Sequence, residues 1–230
     1  MKNLIKLILS AIMMAWASAE AQSQVINWAA QHSGTHLPQL SLGWDYGLSF
    51  QGGYGYRFAS KIPWIAQANF SIPAGGNVLD DYKLGVGGKM LAWDASHFKG
   101  EISLQGVLRR YSSPLVRMNN VGTLIQGSLG YYRPRWFAGL ELGWDKAWLT
   151  HFSHTEVYRE TILVEAQDGW ADTPTAGTIS YGLWIGGSLG AVDVSIQVGK
   201  VTYDQFQTGP TIPNYLRLGA LYRMGSSQRR

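Results

Sequence analysis

The sequence lacks cysteine and has few charged residues. No cysteine occurs among its 230 residues, which excludes a disulfide framework and any thiolate metal site. Only 15% of the residues are charged, and the basic ones are scattered singly although the net charge is +4. A nucleic-acid partner, which requires a clustered basic surface, is therefore not expected.

Long apolar runs are also missing beyond the N-terminus. A membrane-spanning helix needs roughly 18 or more consecutive apolar residues, and no later segment approaches this length. At the N-terminus, Lys2 and Lys6 precede the apolar run LILSAIMMAWA (7–17), and small residues suited to cleavage follow it. This pattern predicts that residues 1–21 are a signal peptide removed on export, the alternative being a first helix that anchors the chain in a membrane.

Glycine and aromatic residues are abundant instead. The chain has 28 glycines, 10 tryptophans and 12 tyrosines. An exported chain of this composition, with no apolar run long enough for a helix, is typical of a transmembrane β-barrel.

The stretch from Leu40 to Phe58 alternates strictly. Every even position except Gly52 is apolar or aromatic, whereas the odd positions are Gly, Ser, Gln, Asp or Arg. A period of two indicates a β-strand with one apolar and one polar face. A two-residue hairpin at Gly52-Gly53 would reverse the parity, so the stretch is predicted to be one long strand with a bend or bulge at these glycines.

The same alternation recurs along the chain. It predicts an all-β, antiparallel up-and-down transmembrane barrel of 8–10 strands, ten being favoured because bacterial single-chain barrels have even strand numbers. The barrel is expected to span residues 40–225, between an N-terminal segment (22–39) and a short tail (226–230). VINWAA (25–30) is the candidate for an additional first strand. The further alternating segments are 64–72, 82–90, 98–109, 121–131, 136–145, 179–186, 192–199 and 216–224.

A water-soluble β-sandwich would alternate as well. Two features favour the barrel: the odd faces are charged but diluted with Gly and Ser, and the apolar faces often begin or end in aromatic residues, as at a membrane interface. Short and long connections also alternate along the chain. Because outer-membrane barrels have short periplasmic turns and long extracellular loops, the last strand is expected to run toward the periplasm.

The last strand, RLGALYRM, resembles the C-terminal assembly signal of bacterial outer-membrane barrels. Arg217, Gly219 and Tyr222 fit its pattern, and Met224 stands where an aromatic residue is usual. The chain is therefore similar to the small outer-membrane β-barrel proteins of Gram-negative bacteria. The resemblance implies a place in the outer membrane, contact with membrane lipid and lipopolysaccharide, and recognition of the last strand by the barrel-assembly machinery.

Charged residues on the polar faces are predicted to lie in the lumen. Acids and bases are nearly balanced, so they are expected to pair across a largely filled interior, because a buried charge without a partner is costly. The alternative is a narrow gated pore or an internal ligand site. The acids are Asp45, Glu101, Glu141, Asp145 and Asp193, and the bases are Arg57, Lys83, Lys89, Arg109, Arg217 and Arg223.

Two further groups of residues are candidates for chemistry. His151 and Ser153 resemble the His-x-Ser pair of outer-membrane lipid A deacylases, which implies a general base and a nucleophile, with Glu141 or Glu156 orienting the imidazole. The spacing of His151 and His154 suits a metal site on a helix better than one on a strand. In the second group, the side chains that could bind calcium in a loop are Asn77, Asp80 and Asp81.

The sequence favours a non-enzymatic barrel that stabilises the envelope or binds a partner through extracellular loops. The longest such loop, 147–174, contains aromatic residues suited to a protein partner. The alternatives are a hydrolase acting on lipid A through His151 and Ser153, and a narrow small-solute channel. No cofactor is predicted.

Overall fold

The computed structural model describes residues 24–44, 47–74, 80–162, 166–171, 177–203 and 213–225. Ten antiparallel strands form a closed barrel, in which each strand pairs with the next and the last pairs with the first. The ten-stranded barrel predicted from the sequence is therefore confirmed. The ten strands of the ring and one short additional strand, β8, are β1 (His36–Trp44), β2 (Leu48–Arg57), β3 (Trp64–Pro73), β4 (Tyr82–Ala95), β5 (Phe98–Ser112), β6 (Val116–Tyr132), β7 (Trp136–His154), β8 (Gly169–Ala171), β9 (Thr178–Leu189), β10 (Val192–Tyr203) and β11 (Asn214–Tyr222).

Strand β8 lies outside the ring. It has three residues and pairs with the last part of β7, whereas β9 pairs with the earlier part of β7. The described helical segments are a 3-10 turn, Trp28–Ala30, and the helix α1, Glu156–Thr161. Neither of these is long or apolar enough to cross a membrane.

The two faces of the barrel wall have opposite chemistry. On β5, Leu104 is 56% exposed on the outside, whereas its neighbour Gln105 is 1% exposed inside. Lipid solvates the apolar outer face, and the polar inner face is packed in the lumen, which is the reverse of a soluble barrel.

The barrel has two different ends, named here the terminus end and the loop end. At the terminus end, the backbones of His36 and Met224 exchange two hydrogen bonds of 2.9 and 2.8 Å, so both ends of the barrel chain meet there. Aromatic rings surround this end on the outside, as where Phe58 stacks on Trp64 at 4.1 Å. The opposite end holds the connections 45–47, 74–81, 113–115, 155–177 and 204–213.

The stretch Leu40–Phe58 is not one long strand. Strand β1 ends at Trp44, β2 begins at Leu48, and these two residues pair with each other. Because the connection has three residues, the even positions point outward on both strands, and the alternation continues through the reversal. Gly52 interrupts the apolar set because the Phe70 ring covers it: an added Cβ would lie 2.3 Å from a ring atom.

The segment VINWAA does not form a strand, and the reversal at 45–47 supplies the tenth strand instead. Residues 24–28 are buried within the barrel, and a 3-10 turn begins at Trp28. Asn27 caps this turn by accepting a hydrogen bond from the Ala29 N–H at 3.1 Å. Apolar residues in this segment thus pack inside the lumen rather than against lipid.

Strands β5, β6 and β7 are the longest, with 15, 17 and 19 residues, and extend past their neighbours at the loop end. Most of the sequence 111–120 therefore belongs to strands, and only 113–115 connects them. On β7 the register shifts near Trp148, so that Ala147 pairs with Gly122 but Leu149 pairs with Val121. The extra residue exchanges the two faces: beyond it, odd-numbered residues of β7 point outward.

Candidate functional site

The lumen is closed at the terminus end by residues 24–31, called here the N-terminal plug. Val25, Ile26 and Trp28 of the plug are buried. They form one apolar cluster with lumen-facing side chains of seven strands, because this end of the wall is apolar on its inner face. The wall residues of the cluster are Leu37, Ile65, Leu91, Tyr132, Phe137, Trp184 and Leu221.

Lys89 and Glu101 of the wall bind the plug through polar contacts. The Trp28 Nε1–H donates a hydrogen bond to a Glu101 oxygen at 2.5 Å, and Lys89 Nζ lies 3.1 Å from the other oxygen. Lys89 also donates to the backbone carbonyl of Gln24 at 2.8 Å. The guanidinium of Arg57 stands 6.0 Å from the Trp28 ring centre, which is a cation–π distance.

A second set of contacts begins at Asn27, which is fully buried. Its amide donates to the Ser188 hydroxyl at 2.8 Å and to the Arg133 carbonyl at 3.0 Å. Ser188 in turn donates to Asp193 at 2.6 Å, and Asp193 pairs with Arg223 at 2.9 Å. The plug is therefore connected to charged residues on two sides of the barrel.

The middle of the lumen is polar. Glu141 accepts hydrogen bonds from Tyr215 Oη at 2.6 Å and from Gln197 Nε2 at 2.9 Å. The Arg217 guanidinium lies 5.6 Å from the Tyr215 ring centre. A cavity of about 10 Å³, the space of one water molecule, adjoins the buried Gln24 amide. Its other lining residues are Gln39, Ser41, Gln51, Gly52, Asn69 and Phe70.

An ion cluster fills the lumen toward the loop end. Asp145 of β7 accepts from Lys83 Nζ at 2.7 Å and from the Arg109 guanidinium. Lys83 pairs with Arg109 across β4 and β5, so the two cations are neighbours in the wall and share one carboxylate. Lys83 is 2% exposed, and its charge is therefore balanced within the protein rather than by solvent.

Large lumen side chains lie over glycines of neighbouring strands. A Cβ added to Gly139 would lie 2.4 Å from the Trp184 ring, and one added to Gly182 would lie 2.3 Å from the Tyr215 hydroxyl. Only glycine leaves room for these rings. The interior is thus packed by side chains of the wall as well as by the plug.

Ten of the eleven charged residues assigned to the lumen lie in the described part of the chain, and all ten face inward. Five of them surround the plug: Arg57, Lys89, Glu101, Asp193 and Arg223. The other five, Lys83, Arg109, Glu141, Asp145 and Arg217, fill the middle and the loop end. Asp45 lies outside the described residues.

The structure places His151 and Ser153 on the same face of β7, and their role in hydrolysis stays a hypothesis. Beyond the register shift both side chains lie on the outer face of β7, where His151 meets Trp170 edge to face at 5.1 Å. Glu141 faces the lumen ten residues earlier on the strand, roughly 33 Å away. Glu156 is exposed at the start of α1. Within the described residues, the side chains of His151 and Ser153 form no hydrogen bond with each other.

Of the three loop metal candidates, only Asp80 and Asp81 lie in the described part of the chain. Asn77 lies outside the described residues, and the Asp81 carboxylate accepts a hydrogen bond from the Ser112 backbone. His151 and His154 point to opposite faces of β7. No group of three or more metal-binding side chains occurs among the residues described.

The four residues of the last-strand pattern divide between the two faces. Arg217 and Gly219 point into the lumen, Gly219 lying close to the Gln24 amide, whereas Tyr222 and Met224 are exposed on the outside. The pattern thus follows the parity of β11, and its recognition by assembly machinery stays a prediction.

The N-terminal plug was missed at the sequence level. VINWAA is apolar without alternation, which is a weak strand pattern, and it contains Asn27, an amide unsuited to a lipid-facing strand end. An apolar patch on the inner wall of a barrel needs another part of the chain to cover it. The wall residues of this patch, however, come from seven different strands. Their proximity is visible only in the closed barrel.

No protein-family model matches the chain, and no curated protein matches it either. Among solved structures, the COG4313 outer membrane channel from Pseudomonas putida F1 is similar, with a TM-score of 0.54 and 9% identity, covering 88% of this chain and 100% of that chain. The KdgM porin has a TM-score of 0.41 and 11% identity, covering 81% of this chain and 98% of that chain. The likeness to the Pseudomonas protein concerns the fold alone, and it agrees with the strand order: this chain has the fold of an outer-membrane β-barrel.

Proposed function

We propose that this protein is an integral outer-membrane barrel with a closed resting lumen, which acts through its outer surfaces as an envelope-structural or binding protein. Export removes residues 1–21. The terminus end faces the periplasm and the loop end faces the cell exterior, in keeping with the short turns at the first and the long strands and connections at the second.

The plug is the observation that supports a closed lumen. Burying a Val, Ile or Trp side chain contributes about 1.5–3 kcal/mol each, so the three apolar plug residues together stabilise the closed arrangement by roughly 5–9 kcal/mol. Ordering the segment opposes this term by about 1–2 kcal/mol per residue. The hydrogen bonds of Lys89 and Asn27 add to the apolar contacts in holding the plug in the lumen.

A narrow channel for small polar solutes is the second candidate. It is supported by the amide and hydroxyl side chains that line the lumen beside Gln24, among them Gln51 and Asn69, which suit a hydrated path. The similar Pseudomonas protein is described as a channel. In this case the plug must be displaced by a partner, a voltage or a solute.

Single-channel recording in planar bilayers separates the two candidates. The full-length protein and a variant lacking residues 24–31 are reconstituted, after a heat-modifiable gel shift has shown that both are folded. A closed barrel gives no unitary current steps from the full-length protein. Stable steps from the full-length protein would overturn the closed lumen and favour the channel.

Fractionation tests the location independently of the lumen. The mature protein is expected in the outer-membrane fraction, with an N-terminus near residue 22 by mass spectrometry. A soluble periplasmic protein, or one that retains residues 1–21, would contradict the proposal.

A further inference from the structure

The outer face of β4 to β7 ends in a straight apolar row toward the loop end. Leu84 pairs with Leu108, Leu108 with Val121, and Val121 with Leu149, so the four side chains lie side by side. All four are 41–45% exposed on the outside of the barrel. In a membrane barrel, such a row belongs to the band that contacts acyl chains.

The next outward row is polar. It begins about 6.6 Å farther along the strands, a distance of two residues. Its members are adjacent through strand pairing, and we name them the outer polar row: Tyr82, Arg110, Asn119, His151 and Trp170. One step farther, Arg117 lies between its pairing partners Ser112 and Ser153.

Among the described residues, the two arginines have no acidic partner. Arg110 and Arg117 form no ion pair or side-chain hydrogen bond within the described residues, and the Arg110 Nε is buried without an acceptor. Two neighbouring acids bind other groups: Asp81 accepts from the Ser112 backbone, and Asp168 accepts from His154 and Arg159. In the part of the chain that the structure describes, no acid therefore pairs with these two guanidinium groups, which lie directly beyond the acyl-chain band.

We propose that the outer polar row and Arg117 bind the phosphate groups of a glycolipid of the outer leaflet, the lipid A part of lipopolysaccharide. A guanidinium binds a phosphate through two parallel N–H donors, which suits Arg110 and Arg117. Asn119 and Ser153 add neutral hydrogen-bond donors. Tyr82 and Trp170, at the two ends of the row, are the aromatic residues that favour the membrane interface.

The position of the site along the barrel axis, directly beyond the apolar row, favours a lipid over a soluble ligand. With acyl chains against Leu108 and Val121, the head group of the same lipid lies at Arg110 and Asn119. A soluble phosphate compound would gain nothing from the apolar row below. The inference rests on the proposed outer-membrane location and orientation, and it does not depend on whether the lumen conducts.

Binding of purified lipid A to the full-length protein in detergent tests the site by native mass spectrometry. The double variant Arg110→Gln with Arg117→Gln is compared with a control, Arg133→Gln with Arg135→Gln, whose side chains lie at the other end of β6 and β7 and are exposed. The ligands are bisphosphorylated lipid A, enzymatically dephosphorylated lipid A and phosphatidylglycerol. A heat-modifiable gel shift and insertion into vesicles confirm that each variant is a folded membrane barrel.

The wild type and the control variant are expected to bind bisphosphorylated lipid A with equal affinity. Charged hydrogen bonds lost at two arginines should weaken this binding about tenfold or more in the double variant, with little change for dephosphorylated lipid A. Equal binding by the double variant, equal binding of dephosphorylated lipid A by the wild type, or a preference for phosphatidylglycerol would overturn the inference. A wild type that fails to insert into vesicles would instead contradict the proposed membrane location.

Discussion

At the terminus end of the lumen, Val25, Ile26 and Trp28 pack against an apolar part of the wall, whereas at the loop end Asp145 is held between Lys83 and Arg109. The side chains at both ends are largely buried. The terminus end needs a separate segment of the chain to fill it, and the loop end is filled by the wall itself. Apolar contact and ion pairing thus close two ends of one lumen.

The two ends should respond differently to mutation. Apolar packing loses free energy roughly in proportion to the atoms removed. In a buried ion cluster, the attraction between charges is offset by their desolvation, so removal of one member costs more than replacement of the whole cluster by apolar side chains. Single and combined variants therefore distinguish the two kinds of closure.

The largest effect is expected for Asp145→Ala. It removes the carboxylate between two buried cations and should lower the free energy of unfolding by about 3–5 kcal/mol. Urea unfolding in lipid vesicles, followed by tryptophan fluorescence, measures the change. The triple variant Lys83→Met, Arg109→Met and Asp145→Leu should recover most of the loss. A single variant within about 1 kcal/mol of the wild type would show that solvent, rather than Asp145, balances the cations.

A somewhat smaller loss is expected for Ile26→Ala in the plug. Truncating a buried Ile costs about 2–4 kcal/mol, and the graded variant Ile26→Val should cost only about 0.5–1.5 kcal/mol. The same urea titration serves for both, with Ile62→Ala as a control at an exposed position. If all three variants unfolded at the same urea concentration, the plug would not be part of the folded core.

Glu101 contacts both an aromatic residue of the plug, Trp28, and a charged residue of the wall, Lys89, so Glu101→Gln tests both kinds of closure. The variant keeps an acceptor for the Trp28 N–H but removes the negative charge beside Lys89, and a loss of about 2 kcal/mol is expected. Lys89 retains the Gln24 carbonyl at 2.8 Å, which limits the effect. Adding Lys89→Met should restore part of the stability. A double variant less stable than Glu101→Gln would show that Lys89 acts independently of Glu101.

The barrel was predictable because its wall obeys a two-residue period that lipid and lumen impose on every strand. In Leu40–Phe58 the two-residue period continues through a turn, so the turn is not visible in the sequence pattern. A three-residue connection preserves parity, so the even positions of β1 and β2 remain apolar throughout. Asp and Gly are residue types that favour turns, but at positions 45 and 47 they also fit the polar half of the alternation. The sequence is therefore compatible with either one long strand or a turn.

Register shifts and distant packing were not predictable in the same way. The single extra residue near Trp148 moves His151 and Ser153 from the inner to the outer face, and no local sequence feature marks it. Burial of Trp28 depends on Glu101 and on wall residues that meet only when β1 pairs with β11. The odd or even position of a charged residue in its strand is enough to predict that it faces the lumen. Its ion-pair partner depends on the shape of the closed interior, which the sequence does not show.

The smallest effect is expected at Asp168, a carboxylate that contrasts with Asp145 because it is exposed. It accepts from the His154 backbone N–H at 2.8 Å, from His154 Nδ1 at 2.9 Å and from Arg159 at 2.7 Å. These hydrogen bonds, that of the backbone N–H first, lower the pKa of Asp168 from 3.8 to about 2. A lowered pKa means that the ionised form orders the loop above pH 3.8 and that this order is lost as the pH falls through about 2.

A nitroxide attached to Glu160→Cys on α1 reports this order, since the chain has no native cysteine. Its mobility should rise between pH 4 and pH 2 in the wild-type background, whereas Asp168→Asn should be mobile at both pH values, because it lacks the charge that the pH titrates. A label at Lys61→Cys, at the other end of the barrel, controls for global acid unfolding. Exposed charge pairs contribute little to global stability, so the urea midpoint of Asp168→Asn should match that of the wild type. Equal label mobility at both pH values in the wild type would mean that the charge of Asp168 does not order α1. Asp168 and Asp145 would then differ only in how deeply they are buried.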